Sequence, residues 1–196
     1  MESASEYLTF AEPDKSDHLW RYTPWRRVHP TGDVFGIPEL ESADVSLVGL
    51  DGGPAPEGIR LEKGLTSELG LPEADPVTGS FLRAVSSDSQ WTLRVDPGFS
   101  SDHPVILDIV SGESASALHL ALEIGRLAEL ELVTRVRGTG EWFGLLRTGA
   151  IREGCSINDV VAGLMGNGTL LRVDSISIGR DAQVRAGTVS SGSIRT

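Results

Sequence analysis

Leu118-His119-Leu120-Ala121-Leu122-Glu123-Ile124-Gly125-Arg126-Leu127-Ala128-Glu129-Leu130-Glu131-Leu132-Val133-Thr134-Arg135-Val136-Arg137 holds two runs with a side-chain period of two, one on each side of Gly125-Arg126. Leu118, Leu120, Leu122 and Ile124 share one parity. Ala128, Leu130, Leu132, Thr134 and Val136 share one in the second run, with Glu129, Glu131, Arg135 and Arg137 on the other. Successive side chains of a strand point to opposite faces, so the pattern predicts two strands with an apolar interior and charged residues on solvent. Ala, Leu and Glu would also suit a helix over 115–136. The strict alternation and Gly125 argue for strands instead.

The unit recurs. Ile124-Gly125-Arg126-Leu127-Ala128-Glu129-Leu130 is matched by Ile178-Gly179-Arg180-Asp181-Ala182-Gln183-Val184. In both, an apolar residue closes a strand, Gly-Arg turns the chain, and Ala opens the next strand. Between Val105 and Gly187, turn glycines are expected at Gly112, Gly125, Gly138, Gly140, Gly149, Gly154, Gly166, Gly168 and Gly179. Their spacing of about 11–13 residues is the cadence of a coiled β-solenoid or a related all-β fold. Near Asp174 the alternation slips, from Leu171 and Val173 to Ile176 and Ile178, which predicts a corner or bulge. Further strands are expected at Val45–Gly49, Ser80–Val85, Trp91–Val95 and Val105–Val110. The expected division is an irregular N-terminal segment with a short helix, residues 1–80, and a β core, residues 81–196. The helix is expected over Ser16–Tyr22, ended by Pro24. Six of the ten prolines lie between Pro30 and Pro76.

Composition excludes several classes of function. The net charge of −11 disfavours nucleic acid and anionic membrane surfaces, because phosphate binding needs a basic stripe. No apolar run reaches the length of a bilayer span. Met1–Glu6 lacks the basic flank and apolar stretch of a secretory signal, and Cys155 is the single cysteine. A cytoplasmic protein is expected.

Four stretches, taken in order, resemble the SufB/SufD family of iron–sulfur cluster assembly proteins. Trp20-Arg21-Tyr22-Thr23-Pro24 is similar to the W-R-Y-T-P segment near the start of SufD-type chains. Val45–Gly52 with Pro56-Glu57-Gly58-Ile59 is similar to the family's strand and Asp-Gly turn. Phe81–Pro104 followed by Val105-Ile106-Leu107 resembles its entry into the core. Leu170-Leu171-Arg172-Val173-Asp174 with Ile178-Gly179-Arg180-Asp181-Ala182 resembles its G-x-L-x-R-x-D-x-x-x-L-x-G-x-x-A stretch. The resemblance covers about residues 16–188. It implies a right-handed parallel β-helix and a scaffold role linked to cluster assembly. Full members continue into a helical C-terminal domain that contacts the ATPase subunit SufC. This sequence ends Ser190-Ser191-Gly192-Ser193-Ile194-Arg195-Thr196, so the expectation is a short member without that docking region. No catalytic or cluster-ligating residue is carried over. A homodimer, or a heteromer with a SufB-like subunit, is expected, because the last coil of a solenoid needs cover.

The residues admit two other readings. Asp159 with Asp174, or Glu141 with Glu153, would pair across coils in a carbohydrate-active solenoid enzyme. Cys155 would ligate a metal, or a transient iron–sulfur cluster, only with help across a subunit interface, since one thiolate completes no such site. Its plainer reading is a small residue near a turn. His103 and His119 read as surface histidines, and His18 and His29 as flanks of the Trp/Arg segment. Trp20, Tyr22 and Trp25 with Arg21, Arg26 and Arg27 would either stack bases or pack the N-terminal segment onto the β body. The acidic balance favours packing. Gly166-Asn167-Gly168 reads as a turn, since no lysine or helix start follows to cradle phosphate. A non-enzymatic scaffold is the expected function.

Overall fold

The computed structural model describes residues 2–13, 20, 24–65 and 75–191. They form a β-solenoid of about four turns, flanked by three helices: α1 (Glu2–Tyr7), α2 (Trp25–Val28) and α3 (Pro76–Val85). Two sheets make its walls. Sheet A orders β10 (Thr169–Ile178), β8 (Trp142–Ile151), β6 (Ala115–Ile124), β4 (Gln90–Val95) and β3 (Ile59–Lys63), with the two-residue β1 (Glu41–Ser42) beside β6. Sheet B orders β11 (Gln183–Ser190), β9 (Ser156–Leu164), β7 (Glu129–Arg137), β5 (Val105–Val110) and β2 (Asp44–Gly49). The coil strands pair in parallel. Only β2 and β3 run antiparallel, against β5 and β4 at the first coil.

Each coil is one strand of each sheet, and the alternation seen in the sequence sets its faces. Leu118, Leu120, Leu122 and Ile124 of β6 look inward towards Leu130, Leu132 and Val136 of β7, and all are buried in one core. Ile124, Ile151 and Ile178 stand in register, 27 residues apart. The repeat between Ile124–Leu130 and Ile178–Val184 is therefore a repeat across two coils. Its middle copy, Ile151-Arg152-Glu153-Gly154-Cys155, has too little sequence likeness to be read as one. The turns between the sheets also stack. Leu127 (φ 60°), Gly154 (φ 67°) and Asp181 (φ 59°) take the same left-handed conformation. The Leu127 N–H donates to the Glu153 carbonyl at 3.0 Å, and the Gly154 N–H to the Arg180 carbonyl at 3.0 Å.

The outer face of sheet A is roofed in part by the N-terminal segment. Trp20, Trp25, Val28, Phe81 and Leu82 pack with Trp142, Leu146 and Ala117 in a second core. Trp142 Nε1 donates to the Val28 carbonyl at 2.7 Å, and Trp25 Nε1 to the Tyr7 hydroxyl at 3.0 Å. Packing is thus the role of Trp20 and Trp25. Arg26 pairs with Glu12 at 2.8 Å.

The structure corrects several expectations. Ser80–Val85 belongs to α3, not to a strand. The Asp75 side chain accepts from the Thr78 N–H at 3.0 Å, and Pro76 starts the helix, as capping predicts. Gly149 lies inside β8, not in a turn. Its φ is 125°, and a Cβ there would meet the Leu122 carbonyl oxygen at 2.1 Å. There is no bulge at Asp174, because β10 keeps unbroken register with β8 from Thr169 to Ile178. The phase slips because Leu171 and Val173 face the N-terminal roof while Arg172 and Asp174 take inward positions. Pro24 precedes α2, and the expected helix at 16–22 lies outside the described residues apart from Trp20. The division at residue 80 falls within α3, and β2 and β3 complete the two sheets. His119 is buried, not at the surface, whereas His103 is exposed, and His29 is buried against Trp25 of the segment it flanks. Among the described residues no helix is long and apolar enough to cross a membrane.

Candidate functional site

The last coils differ from the first where their side chains enter the bore. Register places Arg147 of β8 on Leu120 of β6, with Asp174 of β10 stacked next. Across the bore, Asp159 of β9 sits on Leu132 of β7. Both carboxylates converge on Arg147. Its Nη1 and Nη2 donate to Asp159 Oδ1 and Oδ2 at 2.9 and 2.6 Å, and its Nε and Nη2 to Asp174 Oδ1 and Oδ2 at 3.0 and 2.7 Å. Arg147 is 1% exposed. Burial pushes a guanidinium towards its neutral form, but the two bidentate carboxylates outweigh it and hold Arg147 charged more firmly than usual. Arg172 leans on Asp174 at 3.3 Å, while its Nη1 is buried with no hydrogen-bond partner.

This geometry brings Asp159 and Asp174 together across coils, but around a guanidinium that fills the space between them. A glycoside-cleaving pair needs that space for substrate and water. Glu141 and Glu153 do not meet, since they lie beyond opposite ends of β8.

Past this cluster the described residues add no further coil. Among the described residues no strand pairs with the far edges of β10 and β11, which are 10 and 8 residues long. Val184, Ala186 and Thr188 stack on Ile157, Asp159 and Val161, and Ala186 and Thr188 are exposed. Ile178 is 57% and Val189 55% exposed. Among the described residues this end therefore offers strand edges without a partner strand, beside apolar and ionic side chains, the surface chemistry on which another strand pairs.

Cys155 is in the core, 1% exposed, with its thiol donating to the Gly125 carbonyl at 3.1 Å. Among the described residues, no three His, Cys, Asp or Glu side chains gather to hold a metal. On the outer face of sheet B, Asp108 accepts from Arg135 Nε at 2.7 Å and from Arg137 Nη2 at 2.9 Å. Burial alone would raise the Asp108 carboxyl, but these arginines bring it below its ordinary value.

Sequence reading singled out Asp159 and Asp174 but missed Arg147. The available signal was an arginine at an inward parity of an apolar strand, Leu145-Leu146-Arg147 within β8. The chain matches no family model, no curated protein and no solved structure.

Proposed function

We propose that this protein is a non-enzymatic scaffold that docks through the open edge of its last coil, onto a second copy of itself or a SufB-like subunit. One observation carries the docking: among the described residues, β10 and β11 leave partly apolar edges of 10 and 8 residues without a partner strand, longer than the 5- and 6-residue edges of β3 and β2 at the other end. Natural sheets cover or blunt such edges. Arg172 and Asp174, at the mouth of the bore, add an ionic pattern that a partner strand would have to complement. The link to iron–sulfur assembly in the cytoplasm is supported by the order of sequence motifs from Trp20 to Ala182, and any cluster would be cargo of the complex.

Light scattering of the purified chain tests the docking. A dimer is expected at micromolar concentration, and a shift to monomer with Ile178→Lys combined with Val189→Lys. Anaerobic affinity isolation from the native host, with iron and sulfide quantified, tests the assignment. A monomer that isolates with neither a SufB-like subunit nor a second copy would overturn the reading.

A further inference from the structure

Among the described residues the outer edge of β10 has no partner strand, and its residue order is its own complement. Leu170, Arg172, Asp174 and Ile176 hold the inward parity, in the order apolar, cation, anion, apolar. Arg172 and Asp174 lie 3.3 Å apart, with side chains 23% and 26% exposed, so both reach solvent at this end. Their backbone faces the same edge. Thr169 and Gly179 donate their N–H groups back to the Glu141 and Ile151 carbonyls, so the odd-numbered residues bond towards β8. Successive N–H groups of a strand point to opposite edges, which directs those of Leu170, Arg172, Asp174 and Ile176 at the free one.

Two copies related by a two-fold axis through β10 pair it antiparallel. Directly opposite residues then project to one face, so inward residues must oppose inward ones. With the axis on Arg172 or on Asp174, that residue opposes its own copy, a like-charge contact. With the axis on Leu171, the two charges oppose Leu170 and Gly168. On Ser175, they oppose Ile178 and Ile176. With the axis on Val173, Arg172 opposes the partner's Asp174, Asp174 the partner's Arg172, and Leu170 the partner's Ile176. That register also overlaps nearly the whole of β10.

We infer, resting on the docking reading above, that the partner is a second copy held in this register, with Val173 on the two-fold axis and two Arg172–Asp174 pairs closing across it. Asp174 can accept both arginines, because each carboxylate oxygen has two lone pairs. Within the chain these meet Arg147 and the 3.3 Å contact of Arg172. Opposite charges favour this register, and like charges disfavour its nearest neighbours. The same axis runs β11 against its own copy, where Val184, Ala186 and Thr188 bring no charge.

Disulfide trapping tests the register. The even-numbered pairs are hydrogen-bonded, so Val173 and the partner's Val173 form a non-hydrogen-bonded pair with Cα atoms about 4.5 Å apart, within the span of a disulfide. Cysteine is a small hydrophobe that suits the partly buried position under the roof. The native Cys155 is 1% exposed, which leaves the introduced thiol as the reactive one. In a glutathione redox buffer, Val173→Cys is expected to give a covalent dimer on a non-reducing gel. Leu171→Cys is expected to give none, since Leu171 opposes the partner's Ser175. Combining Leu171→Cys with Ser175→Cys should restore the cross-link. Arg172→Gln is expected to raise the dissociation constant of the dimer about tenfold or more in light scattering. A wild-type dimer that forms no disulfide at position 173, or one equally at 171, would overturn the register while the docking reading stands. A wild-type chain that stays monomeric at micromolar concentration would overturn self-association and leave only the heteromer.

Discussion

Early and late coils of the solenoid put opposite chemistry at one address. The inward column of sheet A runs Trp91, Leu120, Arg147, Asp174, and that of sheet B runs Val105, Leu132, Asp159, Ala186. The backbone ladder continues unchanged through both. Strand register therefore fixes where a side chain goes, but not what it must be. A charge inside is costly unless it is paired and hydrogen-bonded, as Arg147 is by Asp159 and Asp174. The early coils hold by packing alone, and the late ones add an ionic knot to that packing.

Removing one member of that knot is expected to have the largest effect. Arg147→Ala strands two carboxylates in the bore and should cost about 3–5 kcal/mol in urea unfolding. Leu120→Ala, at the same column position one coil earlier, should cost about 2–5 kcal/mol by leaving a cavity. Replacing Arg147, Asp159 and Asp174 together by leucine separates the mechanisms. If the late coils need only filled space, the triple variant is as stable as wild type or gains up to about 4 kcal/mol. A loss as large as that of Arg147→Ala would show that the ions themselves define the late coils.

Acid probes the join between the early coils and their roof. His119, on the outer face of β6, contacts Thr148 Oγ1 at 2.8 Å and has no partner at Nδ1. Burial, with the Arg83 cation adding to it, pushes its pKa down to about 4 from an ordinary 6.5. His29, in ring contact with Trp25 and Phe81, is also shifted down, chiefly by burial. Both bind a proton less readily in the fold than in the unfolded chain, so below pH 6.5 the unfolded chain takes up protons that folded His119 refuses down to about pH 4. Stability should fall between pH 6.5 and 4, by roughly 3 kcal/mol for His119. His119→Gln should flatten that slope in denaturation measured across the range. An unchanged slope would remove His119 from the account.

The smallest effects lie outside the bore. Asp108→Ala breaks the ion pairs with Arg135 and Arg137 and should cost about 1 kcal/mol at most, less in high salt. Leu127→Asn should raise the melting temperature slightly. It relieves a leucine held at φ 60°, worth about 1 kcal/mol before any lost packing over Gly154 is deducted.

The coil walls were legible because burial on one face of a strand leaves period-two alternation, as in Leu118–Ile124 and Ala128–Val136. The knot was less so. Arg147 and Asp174 are neighbours only because a coil is 27 residues long, a length that the degraded middle repeat concealed. Leu171 and Val173 read as core residues out of phase because the roof buries the outer face of β10 as well. The helix at Phe81 was hidden behind Gly79 and Ser80, poor helix formers, although Asp75-Pro76 is a start signal.

The 27-residue step, kept by every parallel pair except β4 and β6, where Val95 and Ile124 are 29 residues apart, also makes this molecule a ruler that tolerates slippage. Excising one whole period, with both cuts at the same place in the turn, would rejoin a strand to an equivalent neighbour and shorten the stack by a single strand spacing, about 4.8 Å. Cutting out one residue more or fewer would throw inward residues outward along every downstream layer. Gene duplication could lengthen the body in the same quantum, so size is the trait this architecture can vary most cheaply.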